Sequence, residues 1–172
     1  MANKCYIDIL IETYNKEDAD KIDAVLSKRY FEARAEQKGM FIGSQHRYLF
    51  DPSIERQADD VIRIEGWVKW SIDYDEAVDI IDWLTVINTS YISIRYEEIG
   101  FSLYGEYIYD DRTKTLKDIY VAKDDFPEYE ENDMFWEELE EVFQQKGVDV
   151  LVYDYSEKVQ NNPATEKGAV NQ

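Results

Sequence analysis

The clearest alternation of apolar and polar positions runs from Val61 to Ile72. Ile62, Ile64, Gly66, Val68, Trp70 and Ile72 fall on one side, and Arg63, Glu65, Trp67, Lys69 and Ser71 on the other. A period of two sustained over this length predicts a strand with one buried face. Cys5 to Thr13 sets Ile7, Ile9 and Ile11 against Asp8, Leu10 and Glu12. Apolar residues on both sides place that strand in the middle of a sheet. Between the two the period turns helical. Ile22, Val25, Leu26 and Tyr30 predict a helix over Lys16 to Phe31, with Asn15 as its cap and Glu17 and Asp18 in the first turn. Gly39 to Gly43 and His46 to Phe50 read as short strands, and Asp51-Pro52 opens a polar loop.

Beyond Ile72, Asp73-Tyr74-Asp75-Glu76 has the form of a capping box, so a second helix is expected from Tyr74 to about Ile87, burying Ala77, Ile80, Ile81 and Leu84. Tyr91 to Glu98 and Phe101 to Asp110 flank Gly100 as a hairpin, and Leu116 to Ala122 returns after a polar turn. A third helix is expected over Asp133 to Gln145, closed by Gly147, then a last strand from Val148 to Tyr155. The chain from Ser156 onward is polar and reads as a flexible tail, which leaves one domain over residues 1–155 and a tail over 156–172.

The order β-α-β-α-β-β-β-α-β predicts an α+β fold: a ferredoxin-like core, with a largely antiparallel sheet and three helices packed mainly on one face. The run Tyr96-Glu97-Glu98-Ile99-Gly100-Phe101-Ser102-Leu103-Tyr104-Gly105, preceded by Trp70 and a helix, resembles the hairpin of the small ferredoxin-like proteins of plasmids and phages, the YubB/api92-like group. The likeness covers residues 61 to 121, and Ser71-Ile72-Asp73 stands where that family usually carries prolines after its Trp. The family brings no settled activity with it. What the resemblance implies is a protein of a mobile element.

Charge changes the picture more than any motif. The 172 residues hold 38 Asp and Glu against 19 Lys and Arg, a formal charge of −19. With 44% hydrophobic and 15% aromatic residues the chain can still build a core. Direct binding to DNA, RNA or an anionic membrane is not expected, because such binders carry a basic footprint. Cys5 and His46 are single, which removes an intramolecular disulfide, Cys-based zinc sites and His-pair metal sites. No apolar run approaches the roughly 20 residues of a membrane span, and no signal-peptide pattern opens the chain. A cytoplasmic setting, in a bacterial host, is the expectation.

The negative charge is localised. Residues 1 to 72 contain 13 acids and 11 bases, net −2, and residues 73 to 172 contain 25 acids and 8 bases, net −17. Asp124 to Glu141 carries ten acids and no base: Asp124, Asp125, Glu128, Glu130, Glu131, Asp133, Glu137, Glu138, Glu140 and Glu141. On a helix, Phe135, Trp136, Leu139, Val142 and Phe143 share one arc and the acids from Asp133 onward the other. Glu137 and Glu141 form a like-charge pair one turn apart, a cost that solubility alone does not require. In the second helix Asp75, Asp79 and Asp82 project together, with Trp83 at their edge. An aromatic in an acidic face suits an interface anchor, and packing under a loop is the alternative.

These features point to a non-enzymatic inhibitor without a cofactor. By overall character the chain is similar to the acidic, nucleic-acid-mimicking anti-restriction and anti-CRISPR proteins. Its partner would be a basic nucleic-acid-binding protein: a CRISPR effector, a nuclease or a restriction enzyme. The alternative is a ferredoxin-like protein-binding or regulatory module, able to form a homodimer through an open sheet edge, whose acidic face is merely solvated. No nucleophile–base pair, phosphate loop or calcium loop is recognisable.

Overall fold

Asn15 ends the first strand and starts the first helix, because its side chain accepts the Asp18 amide hydrogen at 2.9 Å. Asp73 does the same for the second helix, with both halves of the capping box formed: Glu76 N–H to Asp73 at 2.9 Å, and Asp73 N–H to Glu76 at 3.0 Å. A computed structural model of the chain describes residues 4–44, 47–98, 103–120, 149–156 and 169–171. Within them lie β1 (Lys4–Thr13), α1 (Lys16–Ala35), β2 (Met40–Ile42), β3 (Arg47–Ala58), β4 (Val61–Lys69) and α2 (Tyr74–Thr85). β5 (Thr89–Glu98), β6 (Leu103–Asp110), β7 (Thr115–Tyr120), β8 (Asp149–Asp154) and β9 (Ala169–Asn171) follow.

The fold is α+β, with the strands in one antiparallel sheet of order β2-β3-β4-β1-β5-β6-β7-β8-β9. β1 is central, as its two-sided apolar pattern predicts. β1 and β3 run the same way, since both are antiparallel to β4 between them, and α1 lies on the path that joins them. β4 and β5 likewise flank β1, and α2 joins them.

Directly paired residues share a face of the sheet. The register sets Ile9 between Ile64 and Ile94, and Ile11 between Ile62 and Ile92, all buried. This face takes Ile22 and Leu26 from α1 and Ala77, Ile80, Ile81 and Leu84 from α2 into one core. Farther along the sheet the core is aromatic. Tyr96 and Tyr107 stack at 5.5 Å between centroids, Tyr74 lies 4.6 Å from Tyr153, and Tyr109 meets Tyr155 edge-on at 5.2 Å. Gly105 lies opposite Tyr96, whose ring occupies the space a Cβ would need.

Several expectations need correction. Asp51-Pro52 does not open a loop. β3 continues through both to Ala58, with an irregularity between Phe50 and Ser53 where Asp51 takes φ 48°. A bulge admits an extra residue, and an Asp tolerates that conformation. β4 stops at Lys69, so Trp70 leaves the apolar face; with φ 68° its side chain is 56% exposed. Ala169–Asn171 pairs with β8, so these three residues of the expected tail form a strand. Two helices lie among the described residues; the expected third, over Asp133 to Gln145, falls outside them, as does the hairpin tip at residues 99–102.

Candidate partner-binding surface

The second helix carries the part of the predicted surface that the structure describes. Asp75 is exposed. Asp79 is half-buried and points at the β2–β3 turn, where it accepts the Ser44 amide hydrogen at 2.9 Å and the Ser44 hydroxyl. Gly43 precedes that serine with φ 76°, and a Cβ there would strike the Asp79 carboxylate, so this position is restricted to glycine twice over. Asp82 accepts the Tyr155 hydroxyl hydrogen from beyond β8, and burial raises that phenol well above its usual range. Trp83 packs against the core, and the Arg29 guanidinium of α1 covers its ring at 4.1 Å. Arg29 also donates to the carbonyl oxygens of Phe41 and Gly43, at 3.1 and 2.9 Å. Asp79, Asp82 and Trp83 therefore each make contacts within the fold, and Asp75 is the exposed one of the four. The run from Asp124 to Glu141, with its ten acids from Asp124 and Asp125 through Glu128, Glu130, Glu131, Asp133, Glu137, Glu138, Glu140 and Glu141, lies outside the described residues.

The sheet face opposite the helices assembles groups that no sequence motif marks. Asp8 and Arg63 form a two-bond ion pair, Nε to Oδ1 at 2.9 Å and Nη2 to Oδ2 at 2.7 Å. Two strands away Arg95 reaches Glu106 at 3.2 Å, and Ser93 donates to the same carboxylate oxygen at 2.5 Å. Toward one end the face turns aromatic and acidic. Phe50 and Trp67 stack at 4.5 Å, Lys4 lies over Trp67 at 4.5 Å, and the Trp67 indole N–H donates to Asp51 at 2.8 Å. A pocket of about 440 Å3 opens here between Tyr6, Trp67, Asp51, Glu65 and Glu97. Burial raises the Glu97 carboxyl, although the Tyr104 hydroxyl donates to it at 3.1 Å. These residues come from five strands, and register alone brings them together. The available signal was charge at alternate positions of strands otherwise apolar enough to be central.

Among the described residues, no three His, Cys, Asp or Glu side chains cluster as metal ligands, and no helix is long and apolar enough to cross a membrane. Cys5 is buried, and desolvation pushes its thiol up to about 12, which makes it unreactive in the fold. His46 falls outside the described residues. Compared with known proteins, the chain matches no family model, no curated protein and no solved structure.

Proposed function

We propose that the protein acts by binding and carries out no chemistry of its own. In this reading it is an intracellular inhibitor whose acidic surface takes the place of nucleic acid in the basic groove of a CRISPR effector, nuclease or restriction enzyme. The observation that carries the proposal is the segregation of charge, net −2 before Asp73 and net −17 from Asp73 onward. Acids one helical turn apart stand about 5–6 Å from each other, close to the spacing of backbone charges in nucleic acid. Ion pairing adds support. Arg47, Arg56, Arg63, Arg95 and Arg112 each lie within 4 Å of a carboxylate, which lowers the positive potential that a phosphate backbone would meet there.

Asp124 to Glu141 is proposed as the main surface, with Asp75, Asp79, Asp82 and Trp83 of α2 supporting it, Asp79 and Asp82 from half-buried positions. A ferredoxin-like core is proposed as its scaffold. The two helix-linked crossovers and the strand order β3-β4-β1-β5 support this core. The resemblance around Tyr96 to Gly105 favours an origin in a plasmid or phage. The test is capture of partners from a bacterial lysate at two ionic strengths. A basic nucleic-acid enzyme recovered only at low salt is expected, because salt screens such an encounter. Recovery of the chain's own copies alone would sink the reading.

A second reading, a binding module that dimerises, is favoured by one observation. Beyond Leu49 no strand covers the outer edge of β3 among the described residues, and a groove of about 610 Å3 separates that edge from α1. Phe31 stands at this groove 66% exposed, with Tyr30, Pro52 and Ile54 beside it. A dimer joined through these apolar residues would survive high salt during sizing.

A further inference from the structure

The helix-free face holds a hollow that the inhibitor reading does not use. Leu10 forms its floor, with Arg63 across one side of β1 and Ser93 across the other. One step along the strands Asp8 pairs with Arg95, and Arg95 with Glu106. The hollow measures about 260 Å3, and these six residues line it together with Gln57 and Tyr91.

Its charges are balanced: two carboxylates and two guanidinium groups, in the pairs already described. Asp8 and Glu106 are 9% and 8% exposed, and Ser93 is also buried. Ion pairs taken this far out of water contribute little to stability compared with apolar side chains of similar size. A sheet face covered only for stability would carry such apolar groups, and four charges around an open hollow suit recognition instead. Among the described residues, Arg63 uses Nε and Nη2 for its acids, and Nη1 makes no hydrogen bond. Among them, too, Glu106 receives both Ser93 and Arg95 on Oε1, and Oε2 makes none. A donor of positive charge and an acceptor of negative charge are thus left over on opposite sides, on β4 and β6.

We propose that this hollow binds a small zwitterion of the amino-acid class. Its carboxylate pairs with Arg63, its ammonium group with Glu106, and its carbon skeleton lies over Leu10. The two charged ends of the ligand extend the pairs already present, so neither buried acid loses its partner when the ligand enters.

The experiment is a titration of the full chain with free L-amino acids, read by backbone amide shifts in NMR and by thermal stabilisation. At least one amino acid is expected to saturate, with shifts centred on Leu10, Ser93 and Arg95. Its N-acetylated and carboxamide forms should each bind roughly tenfold or more weakly, since each loses a charge-assisted hydrogen bond. Arg63→Gln and Glu106→Gln should each remove the response, and Lys28→Gln, at an exposed position of α1 on the other side of the sheet, should keep it. If either hollow variant fails to fold, the wild-type shifts and the capped ligands still decide. Equal binding of the capped forms, or no amino acid shifting these amides, overturns the proposal. Shifts produced there only by a lysine-rich peptide also overturn it and assign the hollow to a basic protein.

Discussion

Asp79 of α2 accepts two hydrogen bonds from Ser44, and so the second helix holds the turn that joins β2 to β3. The turn is held from the other side by Arg29, which stacks on Trp83. Removing Asp79 leaves the Ser44 groups without their charged acceptor, a loss of about 1.5–3 kcal/mol for bonds of this kind. Asp75 is exposed, and Asp75→Ala should stay within about 0.5 kcal/mol. Urea unfolding of Asp79→Ala and Asp75→Ala measures both. Equal stabilities would mean that the turn is not held by Asp79.

Reversing Glu137, Glu140 and Glu141 to Lys changes six units of charge within the ten-acid run. If that run carries the proposed binding, inhibition of the partner disappears while the circular dichroism spectrum is unchanged. Association should slow before dissociation quickens, because steering acts on the encounter. Undiminished inhibition by this triple variant would remove Asp124 to Glu141 from the proposed surface.

Asp111, in the turn after β6, ties that turn to Tyr14 just before α1. Burial alone would raise its carboxyl, but hydrogen bonds from Lys114, Tyr14 and Tyr109 hold it at about 2, against 3.8 for an ordinary Asp. Tyr14 approaches it at 2.5 Å and Tyr109 at 2.7 Å. A carboxyl depressed on folding adds stability that is complete above its unfolded pKa and is lost as pH falls through the folded one. Asp111→Asn should therefore cost about 1–2 kcal/mol at neutral pH, after allowance for its partial exposure. The difference from wild type should shrink between about pH 4 and pH 2. Denaturant unfolding across that window reads it, and a difference that stays constant with pH would refute the ionic origin.

Trp70 is bulky, largely exposed and in left-handed backbone, a conformation that costs a non-glycine residue energy. Arg47 fixes the conformation by donating to the carbonyl oxygens of Lys69 at 2.7 Å and Ser71 at 2.6 Å, on either side of it. Glycine reaches this region freely, and L-residues do so at a cost of roughly 1–2 kcal/mol. Trp70→Gly should accordingly be more stable than Trp70→Ala by about 1 kcal/mol in thermal unfolding, the reverse of the usual order in regular structure. If alanine proves the more stable, the backbone at Trp70 is not strained.

Much of the core was legible because period and burial coincide. The isoleucines of Ile7 to Ile11 and Ile62 to Ile64 alternate strictly, and the Asp73–Glu76 box marks its helix without tertiary help. β3 was not legible beyond Phe50. Its bulge shifts the alternation by one residue, so Leu49 before it and Ile54 after it both turn to the helix side although their spacing is odd. Trp70 was misplaced for a related reason: the alternation continues in sequence after the strand has ended. In the acidic surface, a helical wheel groups Asp75, Asp79 and Asp82 but cannot see Ser44 or Tyr155, which lie 35 and 73 residues away and engage two of the three. The pairing of Asp8 with Arg63 spans 55 positions and depends wholly on register.

The place of β1 between β4 and β5 has a consequence for biosynthesis. The ribosome makes this strand before either neighbour, and its second edge finds a partner only after Glu98 has been added. Until then Ile7, Ile9 and Ile11 lack the β5 side of the sheet, and α2 joins their cover only once Thr85 has been made. A nascent chain of this design must carry an apolar strand with one open edge until β5 is complete, so chaperone demand should fall on the stretch up to Glu98 rather than on the acidic run after it.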